Sequence, residues 1–152
     1  MAQIIKRDEV SNYVGFSSEP SEWFTVTQDQ INQFADCTLD QQFIHVDPVA
    51  AKEGPFGDTI AHGFLTLSML THFAKGFSMV IEGAHTLVNY GFDKVRFLTP
   101  VKVNSRVRGR ATFAAIEEKN PGQFLLRLQV TVEIEGEDKP ALIAEWITMQ
   151  ML

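Results

Sequence analysis

Cysteine is nearly absent from this chain of 152 residues. Cys37 stands alone, so no disulfide can form within the chain, which fits a reducing compartment. Positive charge is also in deficit: 13 Lys and Arg face 19 Asp and Glu, for a net charge of −6 and a pI near 5.1. That balance argues against a nucleic-acid binder built on a basic surface, although a local Lys/Arg cluster can still meet a phosphorylated ligand. No apolar run approaches the roughly 18 residues of a membrane span. The start, MAQIIKRDEV, lacks the apolar core of a secretory signal. A cytoplasmic protein with neither membrane nor nucleic acid as partner is therefore the expectation. His45, His62, His72 and His85 form no HExxH pattern and have no companion cysteines, so no metal site is expected. GxSxG, P-loop and GxGxxG motifs are missing too, which leaves serine hydrolases, NTPases and dinucleotide enzymes without a foothold.

What is present looks globular. Hydrophobic residues make up 45% and charged residues 21% of the chain, and this length suits one domain across 1–152. A short helix is expected near Asp8–Val14, a turn through Ser17–Ser21 and a short strand at Trp23–Val26. Thr27 and Gln30 read as a capping box opening a helix that carries Ile31, Phe34 and Ala35 on one stripe. Asp47-Pro48 supplies an N-cap and a first-turn proline for another, stopped by EGPFG. From His62 to Lys75, Phe64, Leu65, Leu67, Met69, Leu70 and Phe73 cover nearly every side of a helix, the pattern of a buried central element. The second half changes period. Val101, Val103, Val107, Ala111 and Phe113 alternate with Lys102, Arg106, Arg108 and Arg110, which reads as one long strand with a wet face. A turn at Asn120-Pro121-Gly122 leads to a second alternating run, Phe124 to Ile134, and ALIAEWITMQML makes a third strand. Thr86–Tyr90 and Val95–Leu98 are read as two shorter ones. The expected fold class is α+β, an antiparallel sheet wrapped around the buried helix.

Two places carry chemistry. In LDQQFIHVDP, Asp40 and His45 sit among Leu39, Phe43 and Ile44, side chains expected to be buried. A half-buried acid and imidazole together can hold a water and move its proton, whereas the bland reading makes them a turn residue and a core histidine. In IAHGF, Gly63 opens the central helix, where free backbone N–H groups and the helix dipole suit a developing oxyanion. Close packing would explain that glycine equally well. His62 reads as a packing or capping residue, and Cys37 as a small buried side chain. The Lys102, Arg106, Arg108 and Arg110 stripe reads as a solvated strand face.

Phe34-Ala35-Asp36, Asp40-Gln-Gln-Phe-Ile-His45-Val-Asp-Pro48 and Ile60-Ala61-His62-Gly63-Phe64, in this order and spacing, resemble the MaoC-like, (R)-specific enoyl-CoA hydratase family. The nodulation-protein-N-like branch is the nearer likeness, from about Trp23 onward. The resemblance implies a hot dog fold, a homodimer, and hydration of a trans-2-enoyl thioester, carried on CoA or a carrier protein, to the (R)-3-hydroxyacyl thioester without a cofactor. It implies Asp40 and His45 as the catalytic pair and the Gly63 N–H as the oxyanion donor, with Thr71 where hydratases of this type can have a supporting serine. Such motifs commonly read Asp-x-Asn-Pro after the aspartate. Here Gln42 and Phe43 take the Asn-Pro places, and Gln42 keeps an amide on a longer arm. A hot dog thioesterase, a carrier-protein dehydratase or a non-catalytic acyl-CoA-binding homologue are the alternatives.

Overall fold

The computed structural model describes residues 3–152; Met1 and Ala2, which the one-domain expectation includes, lie outside it. Thr27 starts α1 (Gln28–Thr38), its Oγ1 accepting from the Gln30 amide at 3.2 Å. The Gln30 side chain does not close the other half of the box but donates to Met69 Sδ at 3.4 Å. Asp47 caps α3 (Pro48–Lys52) as expected, its Oδ1 accepting from the Val49 and Ala50 amides with Pro48 in the first turn. Before it lies the single turn α2 (Phe43–Val46). Ahead of these come β1 (Gln3–Ile5), a 3-10 helix over Arg7–Tyr13 and the two-residue β2 (Phe24–Thr25). The turn expected at Ser17–Ser21 is instead an extended segment bridged to Thr112 along the main sheet, where the Ser18 and Ser21 hydroxyls accept from the Ala111 and Gly109 amides.

The central helix departs from the expected single cylinder. It is two pieces, α4 (Gly63–Ser68) and α5 (Leu70–Phe77), running through Gly76 before Ser78 ends it. Nor is it buried on every side. Leu65, Leu70, Phe73 and Phe77 face the core, while Phe64 is 70% exposed and Thr71, His72 and Lys75 are open to solvent. Apolar composition alone made the helix look fully enclosed; one of its sides in fact lies open.

Strands β4 (Thr86–Phe97), β5 (Arg106–Asn120), β6 (Gln123–Ile134) and β7 (Leu142–Met151) join β2 in an antiparallel sheet ordered β2-β5-β6-β7-β4. A separate parallel pair links β1 to β3 (Met79–Ile81). The two expected short strands are one: β4 stays paired with β7 through register shifts at Asn89/Gly91 and Phe92/Lys94, and such bulges hide a strand from a period-two reading. In contrast, β5 begins at Arg106 rather than Val101. Asn104 takes φ 64° and Ser105 N–H bonds back to the Lys102 carbonyl, so the chain turns before the ladder starts. The alternation itself holds, with Val107, Ala111 and Phe113 buried and Arg106 and Arg110 exposed. Pro121-Gly122 forms the expected β5–β6 turn, Gly122 supplying φ 76°. On the outer face Arg106 pairs with Glu135, and Arg108 and Arg110 pair with Glu133, Arg108 also lying 4.3 Å from the Trp23 ring centroid. That stripe is a solvated strand face, as read.

Helix and sheet meet most closely where Gly109 of β5 passes Phe73 of α5. A Cβ built at Gly109 would lie 2.8 Å from Phe73 Cβ. Phe73 is wholly buried, so neither backbone can yield without moving the core. Gly109→Ala is expected to cost about 1–3 kcal/mol by overpacking. The measurement is a lower urea midpoint with an unchanged slope; an unchanged midpoint would contradict so tight a seat.

Candidate active site

Leu39 ends α1 in the left-handed region at φ 65° and ψ 19°. That conformation costs a non-glycine residue about 1 kcal/mol, and it turns the chain sharply into Asp40. Leu39 is 84% exposed and Phe43 44% exposed, so this segment is not the buried one expected from its composition. Asp40 is itself exposed; its Oδ1 accepts from the Gln42 amide at 3.4 Å. Gln42 then precedes α2 in extended backbone, with its carbonyl taking the His45 amide at 3.0 Å and its side chain free of any cap bond. Phe43 occupies the first helical position, the place a proline favours. Gln42-Phe43 therefore keeps the Ncap–N1 backbone that Asn-Pro would take, losing only the side-chain cap. The Phe43 ring packs against Gly54, where a Cβ would come within 3.3 Å of it.

His45 is 6% exposed. Its Nδ1 lies 2.7 Å from the Ile60 carbonyl, a partner that can only accept, so Nδ1 carries the proton and Nε2 keeps its lone pair. The segment that supplies this carbonyl is itself fixed. Ile60 N–H donates to Ile44 O at 2.9 Å, and Ala61 N–H and Val103 N–H tie residues 59–61 to residues 101–103. Gln28 of α1 adds a clamp that nothing in the sequence announces: its Nε2 donates to the His45 carbonyl at 2.7 Å, while its Oε1 accepts from the buried Thr59 hydroxyl at 2.5 Å. A glutamine on a polar helix face and a threonine 31 residues away give no joint signal in the sequence.

His62 enters the same cluster. It is 3% exposed, its ring stacked on His45 at 3.8 Å between centroids with an interplanar angle of 23°. Its Nε2–H donates to the Asp40 backbone carbonyl at 3.0 Å. It makes no side-chain cap bond to α4, so capping, one of its two expected roles, does not apply. Asp40, His45 and His62 bring one donor atom each within 4.8 Å of one another. A metal ion fits them poorly: one nitrogen of each imidazole is already hydrogen-bonded, and stacked rings send their in-plane lone pairs along near-parallel planes instead of towards one centre. Burial, first, holds the His45 imidazole below the ordinary value of 6.5; the Ile60 carbonyl opposes this, His62 adds to it, and Asp40 opposes it.

Gly63 follows directly as the first residue of α4, its N–H unable to bond within the helix, since the first such bond runs from Thr66 N–H to His62 O. Beside it a cavity of about 250 Å3 is lined by Ile60, Ala61, Thr66, Phe97 and Ala141. A larger, mainly apolar cavity of about 480 Å3 lies between α5 and the sheet, against Phe77, Met79, Leu128 and Trp146. It shares Thr71, Asn89 and Trp146 with a further space of about 460 Å3 that reaches Phe64. Of the expected site residues, Asp40, His45 and the start of α4 are thus brought together. Two are not: the Gln42 side chain is exposed without a partner among the described residues, and Thr71 bonds to the Ser68 carbonyl at 3.0 Å and lines the apolar cavities instead.

Comparison with known proteins bears on the family and the fold. Residues 9–134 match the family described as MaoC like domain. Nodulation protein N of Rhizobium leguminosarum bv. viciae is 49% identical over 144 residues, covering 93% of this chain and 88% of that protein. The 3-hydroxyacyl-thioester dehydratase Z of Mycobacterium tuberculosis (strain ATCC 25618 / H37Rv) is 46% identical over 127 residues, covering 84% and 83%. Among solved structures, the monoamine oxidase regulatory protein from Archaeoglobus fulgius superposes with a TM-score of 0.78 at 23% identity over 99% of this chain and 97% of that one. The (R)-hydratase from A. caviae involved in PHA biosynthesis gives 0.70 at 21% over 86% and 93%. These structures share the hot dog fold of sheet and central helix. With the family match spanning most of its length, the chain belongs to the MaoC-like dehydratase domain family.

Proposed function

We propose that the protein is a hydro-lyase that adds water, with (R) stereochemistry, across the double bond of a trans-2-enoyl thioester, and catalyses the reverse dehydration. The observation that carries this reading is the His45 Nδ1 bond to the Ile60 carbonyl: with Nδ1–H spent there, Nε2 keeps its lone pair, in a ring that has a nitrogen within 4.8 Å of an Asp40 carboxylate oxygen. One relative, a 3-hydroxyacyl-thioester dehydratase, and one structural neighbour, an (R)-hydratase, are named for the same chemistry.

In this mechanism the carboxylate and Nε2 hold one water between them. Nε2 takes a proton as the oxygen bonds to C3, and the π electrons move through C2 and C1 onto the thioester oxygen. The Gly63 N–H meets that charge, stabilising the enolate-like transition state more than the ground state. Return of the proton to C2 re-forms the carbonyl, so the net change is H and OH added across one double bond. The apolar spaces beside α5 suit the acyl chain, with Thr71 on their wall.

A homodimer fits the same picture. Strand β4 is an edge of the sheet, and Leu87, Tyr90, Phe92 and Phe97 on it are 39–51% exposed alongside Phe64 of α4. An edge this long and apolar calls for a cover, and a second copy paired along β4 supplies one.

Three measurements test these proposals. With crotonyl-CoA the wild type should bleach the enoyl absorbance and yield the (R)-3-hydroxy product by chiral analysis. Asp40→Asn and His45→Ala should each lower kcat by about 100- to 10,000-fold. Gly63→Pro has the fixed φ a first helical position favours and no N–H, but it must also displace Phe97, whose ring would lie 3.1 Å from the added Cβ. It should cost about 100- to 1,000-fold, with Gly63→Ala, which keeps the N–H and makes the same contact, as the control for packing. Release of free CoA instead would make the protein a thioesterase, and acyl-CoA binding without turnover would make it a non-catalytic homologue. Because His45 must be neutral to accept a proton, and its value lies below 6.5, kcat/KM should hold down to pH 6.5 and fall only below it. A decline already complete at pH 7 would rule His45 out as the base. Sedimentation should give a species of twice the 17.1 kDa chain, reduced to one chain by Phe92→Asp.

A further inference from the structure

His62 has more contacts in the site than packing requires. Its ring is held from two sides, by His45 at 3.8 Å and by Phe34 at 5.0 Å with a tilt of 56°. The Nε2–H reaches across to the Asp40 carbonyl, while Nδ1 is buried with no hydrogen-bond partner among the described residues. A histidine kept only to fill space is inefficient here, since phenylalanine would fill it without leaving a polar atom unpaired.

What the Nε2–H holds explains the choice. Asp40 follows Leu39, whose positive φ the chain must sustain without glycine, and Leu39 itself is 84% exposed and packs on little. Among the described residues the carboxylate is tied only to the nearby Gln42 amide, through a long 3.4 Å contact. His62 is therefore the side chain that connects this turn to the entry of α4, and it touches His45 as it does so. One ring thus touches both the backbone of the acid and the ring of the base.

We propose that His62 is a positioning residue for the hydro-lyase reaction, fixing the Asp40 backbone through Nε2–H while its stacked ring fixes the plane of His45. The inference rests on the hydratase reading given above. The charged and titratable groups that face His45 are Asp40 and His62. The stack has a second effect: a positive charge on either ring opposes one on the other, which favours His45 in its neutral, proton-accepting form.

Two variants separate the bond from the packing. His62→Phe keeps a ring against His45 and Phe34 but removes the donor; His62→Gln restores an amide N–H at the Nε2 position without the ring. For His62→Phe, kcat should fall by about tenfold or more with KM within about twofold, and His62→Gln, which restores the donor but not the stacked ring, should recover part of that loss. In nitrogen-15 NMR of the free protein, His62 should be the Nε2–H tautomer, and the titration midpoint of His45 should rise in His62→Phe. Wild-type kcat in His62→Phe, or an unmoved His45 midpoint, would overturn the proposal, as would an Nδ1–H tautomer at His62. Equal kcat losses in both variants, each with a matching fall in melting temperature, would reduce His62 to a packing residue and overturn it as well. A wild type that turns over no enoyl thioester defeats the hydratase reading itself, which an active wild type with an unaffected His62→Phe leaves standing.

Discussion

The hydrogen bond from His45 Nδ1 to the Ile60 carbonyl, 2.7 Å long, governs the arrangement around it. It chooses the tautomer, and so decides which nitrogen of the imidazole remains reactive. It also joins α2 to the extended segment that leads into α4. Since Ile60 N–H returns a bond to the Ile44 carbonyl, the two segments grip each other at two points. Asp40 lies at the near end of one and Gly63 at the far end of the other. Losing this join would separate acid, base and helix start together.

An isolated four-residue helix has no stability of its own in water, because nucleation costs more than so few bonds return. The turn α2 persists because it is clamped from outside. Gln28 holds its carbonyl, Phe43 packs on Gly54, and Asp47 stops it while capping α3. The site thus sits on short elements fastened to long ones. Rigidity comes from the connection between β4 and β5, whose residues 101–103 hold residues 59–61, and from α1, which presents Gln28.

Much of this was legible in the sequence wherever local chemistry decides the outcome. Thr27, Asp47-Pro48 and Pro121-Gly122 mark element ends by capping and turn preferences, and all three stand where expected. The alternation in β5 and β6 reports faithfully which side faces the helix; β7, apolar around more of its circumference, does not, since Gln150 is buried while Met149 and Met151 are only half-buried. The Asp40–His45 and His62–Gly63 motifs lie within one segment each, and the fold brings them together. Failures occur where distant parts decide. Bulges around Tyr90 and Asp93 make one strand look like two, because the ladder with β7 absorbs the extra residues. Leu39 and Phe43 look like core residues until the left-handed turn at Leu39 carries them outward. The Gln28–Thr59 clamp and the His45–His62 stack are contacts between segments far apart in the chain, to which periodicity and propensity are blind.

The order of the sheet has a consequence for assembly. One of its edges is β2, only two residues long; the other is β4, with twelve. Strand addition therefore has one usable docking line, not two. A sheet with good edges on both sides can grow by head-to-tail pairing into a fibre, copy after copy. Here, once a strand has been added along β4, the other side offers the two-residue β2, and residues 15–21 already bond to β5 beside it at Gly109, Ala111 and Phe113, which blunts that side against further pairing. An exposed, apolar and long edge is tolerable in a concentrated solution on that condition.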